Sequence, residues 1–178
     1  MKTIYLFAIL AILLLPAPGR SQTEWKPTSY SVTFKIKNAG ISVNGSFDTV
    51  SAVLLFSQEK LSTSSLSGKV VVNSIHTGIN MRDKDIKKEE YFDVDKFKDI
   101  EIKSTKVYYK GNAYAGLFDV TIKGVTRQIE IPFDFIQLSD EGEFKGSFTI
   151  NRRDFGVGGG SMMMGDNVTI TIDIKAKK

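Results

Sequence analysis

Apolar and polar residues alternate with a period of two along most of the chain. Successive side chains of a β-strand point to opposite faces, so this alternation predicts strands with one buried and one solvated face. Such a division is typical of antiparallel sheets. The clearest alternating segments are 32–36, 41–47, 100–103, 118–123, 128–135, 144–150 and 168–174.

About eight such strands in one short domain predict an all-β fold, and turn residues such as those at 110–112 and 140–142 separate them. The alternation alone leaves a closed barrel and an immunoglobulin-like sandwich open. Residues 82–97 interrupt the pattern with a charge-rich stretch, for which we predict a short helical segment packed against the sheet. No internal repeat or long linker indicates a second domain.

The N-terminus has the pattern of a secretory signal peptide. Lys2 precedes the apolar run 4–15, and Pro16, Pro18 and Gly19 then end it. A permanent membrane anchor is the alternative, but a run of about 12 residues is short for a bilayer. We therefore expect a signal peptide at 1–21 and one domain at 22–178, exported to the periplasm or secreted, with no stable membrane anchor after cleavage.

Composition narrows the range of partners and cofactors. The chain has 24 basic and 20 acidic residues, and the predicted signal peptide holds two of the basic ones, Lys2 and Arg20. The near-neutral remainder gives no electrostatic reason to expect a nucleic-acid partner. The chain has no cysteine and one histidine, so disulfides are excluded and neither a metal site nor a cofactor is expected.

Few residues have the arrangement that catalysis needs. His76 has no nucleophile motif near it, and a structural role is the favoured interpretation. The carboxylates of 83–95 are interleaved with lysines, as on a solvated helix face. The glycines of 156–160 do not join a strand to a helix, so they are not a phosphate-binding loop. We therefore predict a binding protein and not an enzyme.

Apolar side chains are abundant, with 12 phenylalanines and 5 methionines. A small barrel can be filled by its own side chains or leave room for one ligand. The run Met162-Met163-Met164 is a flexible, polarizable surface that could line a pocket mouth, with ordinary core as the alternative.

Several short motifs, in order along the chain, resemble the YceI-like family of exported lipocalin-like barrels. They are Ser31-Val32-Thr33-Phe34, Gly45-Ser46-Phe47, Ser74-Ile75-His76-Thr77, Arg82-Asp83, Tyr91-Phe92-Asp93-Val94, the segment 119–126, Asn151-Arg152-Arg153-Asp154-Phe155-Gly156, and Gly165-Asp166-Asn167-Val168.

This resemblance implies an eight-stranded antiparallel barrel with a helical segment, in the periplasm or secreted from a bacterium. It also implies a hydrophobic cavity that holds a polyisoprenoid or similar amphiphile. The chain departs from the family where Ser29, Asn38 and Asp85 stand at positions that often carry histidine. Any head-group or metal role of those histidines therefore does not transfer to this chain.

The leading hypothesis is that the barrel binds, and transports or stores, a long-chain apolar lipid such as a polyisoprenoid or an isoprenoid quinone. The alternatives are a stress-related structural or interaction protein with a filled barrel, and an enzyme acting on a small hydrophobe. The oligomeric state stays open, with a homodimer as one option. Arg82, Arg152 and Arg153 are candidate head-group contacts, with an exposed or structural role as the alternative for each. The residues expected to face the lipid are Phe34, Ile36, Phe118, Val120, Phe133, Phe135, Phe148, Phe155, Met162, Met163, Met164, Ile170 and Ile172.

Overall fold

The computed structural model describes residues 22–178, and the predicted signal peptide lies outside these residues. The described chain contains one α-helix, α1 (Asn80–Ile86), and three short 3-10 helices, Leu61–Thr63, Val72–Ser74 and Arg152–Phe155. Its ten strands are β1 (Glu24–Asn38), β2 (Ile41–Phe47), β3 (Val50–Leu55), β4 (Ser65–Val71), β5 (Ile75–His76), β6 (Asp99–Lys110), β7 (Ala113–Ile122), β8 (Val125–Leu138), β9 (Glu141–Asn151) and β10 (Met164–Lys177).

Eight of these strands close into an antiparallel barrel. The hydrogen-bonded order is β1-β3-β4-β6-β7-β8-β9-β10, and β10 returns to pair with β1 along most of its length. The short strands β2 and β5 lie outside this ring, with β2 on β1 and β5 on β2. The predicted eight-stranded antiparallel barrel is therefore confirmed, and the sandwich alternative is wrong.

One edge of β1 is shared by two strands. Trp25 pairs with Leu54 of β3, and Thr33 pairs with Ser46 of β2. Both pairs belong to one antiparallel alignment of β1 with the segment 41–55. Between these points, no ladder pair joins 26–32 to 47–53. The β1–β10 ladder also shifts its register within this stretch, and such a bulge bends a strand locally. The barrel wall therefore parts between β1 and β3 over these residues.

The helical segment is shorter and begins earlier than predicted. Only Asn80–Ile86 is α-helical, and residues 87–97 form consecutive turns. Asp93 has a φ of 50°, in the left-handed region that interrupts a right-handed helix. The backbone hydrogen bonds here have mixed spans, from three residues between Tyr91 N and Lys88 O to seven between Val94 N and Lys87 O, so no regular helix continues. The apolar side chains of Tyr91 and Phe92 still pack against the barrel core.

Six rings fill one part of the barrel, and we call them the aromatic cluster: Trp25, Phe56, Tyr114, Phe133, Phe135 and Phe144. Phe56 is central, with ring centroids 4.8 Å from Phe135 and 5.5 Å from Phe144. Most of these pairs meet edge to face, which aromatic quadrupoles favour. The Trp25 indole donates a 3.1 Å hydrogen bond to the Phe56 carbonyl, so its polar atom is satisfied inside the core.

Candidate binding cavity

The rest of the barrel interior is hollow. The cavity has a volume of about 270 Å³. That is roughly twenty times the ~10–15 Å³ that holds one water molecule. The lining extends from Phe133 and Phe144 of the aromatic cluster to Arg82 of α1 and to Phe155 in the last 3-10 helix. A barrel filled by its own side chains does not fit this space.

Strand register places the lining side chains in rows across β1, β10 and β9. Ile36, Val168 and Ile150 form one row, and Phe34, Ile170 and Phe148 form the next. The third row consists of Val32, Ile172 and Gly146. All nine residues line the cavity.

Gly146 provides room in the third row because it has no side chain. An added Cβ would meet Pro132 O at 3.4 Å and Phe133 Cβ at 3.6 Å, which are ordinary van der Waals distances. The position can therefore accept a side chain, and that side chain would enter the cavity.

Most of the residues proposed from the sequence as lipid contacts line this cavity. They are Phe34, Ile36, Phe118, Val120, Phe133, Phe148, Phe155, Met164, Ile170 and Ile172, together with Arg82 and Arg152 among the head-group candidates. The inward orientation of those on strands follows from alternation, and the role of the whole set in binding stays a prediction.

Four proposed residues lie elsewhere. Phe135 belongs to the aromatic cluster and is not among the cavity-lining residues. Met162 and Met163 are 99% and 66% exposed, so the expected methionine surface at the cavity reduces to Met164. Arg153 is exposed, outside the cavity lining, and bound to Asp166.

Other lining residues were not proposed from the sequence. Val43 and Phe47 of β2, Ile75 of β5, and Tyr91 and Phe92 in the turns after α1 all contribute. Alternation could have indicated Val43 and Phe47. The turn residues have no periodicity, and only the tertiary fold brings them to the barrel.

A hydrogen-bonded group formed by His76, Thr77, Arg82 and Asp83 borders the cavity. Asp83 is buried, and its Oδ1 accepts hydrogen bonds from the Thr77 hydroxyl and, at 2.9 Å, from the Thr77 backbone N–H. The other carboxylate oxygen lies 3.3 Å from His76 Nδ1.

Burial alone would raise the pKa of the Asp83 carboxyl, but the hydrogen bonds from Thr77 and the proximity of His76 outweigh it. The pKa therefore lies below its ordinary value of 3.8, and the carboxyl is ionised at neutral pH.

Arg152 has a different environment from Arg82. It is 3% exposed and donates hydrogen bonds to the carbonyls of Val157, Gly159, Ser161, Met164 and Gly165. Its Nη2 also lies 3.1 Å from the Asp166 carboxylate. A guanidinium has five N–H donors, so these contacts leave no N–H group of Arg152 free to bind a ligand. Arg152 therefore holds the loop before β10 in place.

The lining has little that could perform acid-base chemistry. Its polar side chains are amides, hydroxyls, lysines and arginines, and no carboxylate or imidazole of residues 22–178 is among them. Within the same residues, no group of three histidine, aspartate or glutamate side chains could hold a metal ion. The described helix and 3-10 helices are too short to cross a membrane. The site is therefore an apolar cavity with a polar margin that includes Thr77 and Arg82.

Residues 24–176 match the family model for the YceI-like domain. A UPF0312 protein of Vibrio campbellii is 30% identical over 120 residues, a match that covers 66% of this chain and 64% of the relative.

Two solved structures share the fold. BcnA of Burkholderia cenocepacia has a TM-score of 0.80 at 24% identity, over 83% of this chain and 96% of that one. A polyisoprenoid binding domain from Saccharophagus degradans has a TM-score of 0.70 at 13% identity, over 86% of this chain and 97% of that one.

Proposed function

The chain belongs to the YceI-like family, and we propose that its barrel binds one long-chain apolar lipid, such as a polyisoprenoid or an isoprenoid quinone, for transport or storage. The observation that carries this proposal is the hollow interior lined by phenylalanine, isoleucine and valine. A structural neighbour described as a polyisoprenoid binding domain supports the same ligand class.

The energetics favour a lipid chain over water in this space. Removing apolar surface from water contributes about 25 cal/mol per Å², so burying ~500 Å² of a prenyl chain contributes roughly 12 kcal/mol before ordering costs. Because the lining offers few hydrogen-bond partners, water would be poorly accommodated. Binding of this kind needs no catalytic group, in keeping with a binding protein and not an enzyme.

We further propose that the protein works outside the cytoplasm, in the periplasm or after secretion, on the basis of the signal-peptide pattern at 1–21. Cell fractionation and N-terminal sequencing of the native protein test this directly. We expect an exported chain that begins near residue 22. A full-length cytoplasmic chain would contradict the proposal.

Lipid binding can be tested with the purified protein. We expect organic extraction and mass spectrometry to recover a prenyl lipid, and the delipidated protein to bind geranylgeraniol. The single tryptophan, Trp25, lies in the aromatic cluster that adjoins the cavity and can report binding by fluorescence. If no lipid is recovered and geranylgeraniol does not bind, the proposed function is wrong.

A cavity-filling variant locates the binding. Gly146→Leu should insert its side chain into the hollow and weaken geranylgeraniol binding about tenfold or more, while the barrel stays folded. Ser147→Leu is the matched control, because Ser147 is exposed on the outer face of the same strand. Equal binding by both variants would show that the lipid binds outside the cavity.

A further inference from the structure

Arg82 differs from the other head-group candidates in the part of its guanidinium that remains free. Its Nε donates to the Thr77 hydroxyl and its Nη2 to the Thr77 carbonyl, both at 2.8 Å. These two atoms form the side-on edge of the guanidinium. The end-on edge, formed by Nη1 and the second hydrogen of Nη2, has no hydrogen-bond partner among residues 22–178.

The charge of Arg82 also lacks a direct partner. None of the ion pairs formed by residues 22–178 includes Arg82, whereas Arg152 and Arg153 share the Asp166 carboxylate. The neighbouring carboxylate, Asp83, is bound to Thr77 and His76. Arg82 is thus a cation that lines the cavity, is half-buried, and has an open donor edge.

The surroundings hold this side chain in place. Thr77 receives both Arg82 hydrogen bonds, and Asp83 in turn fixes Thr77 through its hydroxyl and its backbone N–H. A donor that is already oriented loses less conformational entropy when it binds a ligand. The arrangement is therefore prepared for an acceptor that reaches the polar margin of the cavity.

We propose that the lipid ends in an anionic oxygen group, of the phosphate-ester type, and that the end-on edge of Arg82 binds it. The proposal rests on the proposed function, since it places the polar end of the same lipid. A planar guanidinium edge matches two oxygens of one anion, and charge-assisted hydrogen bonds are stronger than neutral ones. Arg152 and Arg153 do not compete for this role, because one has its donors occupied and the other lies outside the cavity.

The test compares two probes that share one tail. Geranylgeranyl phosphate and geranylgeraniol are titrated into the delipidated full chain, followed by Trp25 fluorescence. We expect the wild-type protein to bind the phosphate about tenfold or more tightly than the alcohol. Arg82→Met should remove this preference, so that its affinities for the two probes lie within about threefold of each other. Arg153→Met, the control, should keep the wild-type preference.

Two further measurements separate binding from a merely structural role. Arg82→Lys keeps the positive charge but loses the planar pair of N–H donors, so it should retain only part of the preference for the phosphate over the alcohol. Thermal unfolding checks that each variant is folded. Should Arg82→Met weaken both probes equally, Arg82 acts by positioning α1 and the proposal fails.

The wild-type titration is decisive even if a variant does not fold. Equal affinity for the two probes overturns the anionic head group but leaves lipid binding intact. Absence of binding by either probe instead overturns the proposed function, and the head-group assignment with it.

Discussion

Removing a phenylalanine ring should have very different costs in the aromatic cluster and at the cavity wall. Phe56 is 1% exposed, and its ring has four aromatic neighbours with centroids 4.8 to 5.9 Å away. Phe148 is only partly buried and lines the hollow, so its ring is less tightly enclosed than that of Phe56. The substitutions Phe56→Ala and Phe148→Ala therefore remove the same atoms from two different environments.

The magnitudes follow from what each ring loses. A fully packed phenylalanine replaced by alanine costs about 3–5 kcal/mol, because a new void remains where the ring was. For a domain of this size, each kcal/mol lowers the melting temperature by roughly 2–4 °C, so Phe56→Ala should lower it by about 6–20 °C. Phe148→Ala enlarges a void that already exists and gives up fewer contacts, so we expect a cost below about 2 kcal/mol.

Urea unfolding of the delipidated wild-type protein and both variants provides the measurement, with thermal unfolding as a second readout. The difference between the two variants is the informative quantity, because both share the same change in unfolded-state surface. Equal destabilisation would mean that Phe148 is packed on all sides in solution. In that case the barrel is filled, and the reasoning from a hollow interior fails.

Three further outcomes follow from single positions. Arg152→Met should destabilise the protein by at least about 3 kcal/mol in urea unfolding because it leaves buried carbonyls without donors, whereas the exposed Arg153→Met should cost about 1 kcal/mol or less. Because the Asp83 carboxyl has a lowered pKa, its contribution to stability is present above about pH 3.8 and is lost as the pH falls through that pKa. The stability difference between wild type and Asp83→Asn, measured against pH, should therefore shrink on acidification, and a constant difference would contradict this. Gly45→Ala would place a Cβ 2.9 Å from the His76 carbonyl oxygen and inside the Phe34 ring, so it should destabilise the fold by about 1–3 kcal/mol. Gly146→Ala makes only ordinary contacts and should be nearly neutral, and thermal unfolding of both variants checks the difference.

The alternation of apolar residues predicted the strands and their inward faces but not the depth of each residue along the barrel. Phe133 and Phe135 are both buried on β8, and both were expected to contact lipid. Both rings belong to the aromatic cluster, but only Phe133 also lines the cavity, because Phe135 lies two residues further along the strand. A period of two encodes the face of a strand, whereas depth depends on how neighbouring strands are staggered.

Loop residues were harder to predict for a related reason. The three consecutive methionines have no periodicity, and the structure exposes Met162 and Met163 while Met164 begins β10 and lines the cavity. The hydrogen bonds of Arg152 to five carbonyls require the loop at 157–165 to fold back over its guanidinium. Nothing in the spacing of residues along the sequence predicts this loop conformation. The sequence therefore does not distinguish the three arginines, because the tertiary fold determines their hydrogen-bond partners.

A hollow barrel must obtain its stability from other parts of the fold, and this chain has no cysteine with which to form a disulfide. Outside the gap between β1 and β3, the antiparallel ladder satisfies the backbone polar groups of its strands, and the aromatic cluster concentrates dense packing in one region. The wall around the cavity is then free to have gaps such as Gly146 without unfolding the protein. Four of the six rings of the aromatic cluster do not line the cavity, so the packing that stabilises the barrel is largely separate from the cavity wall. Substitutions in the cluster should therefore affect mainly stability, and those in the wall mainly binding.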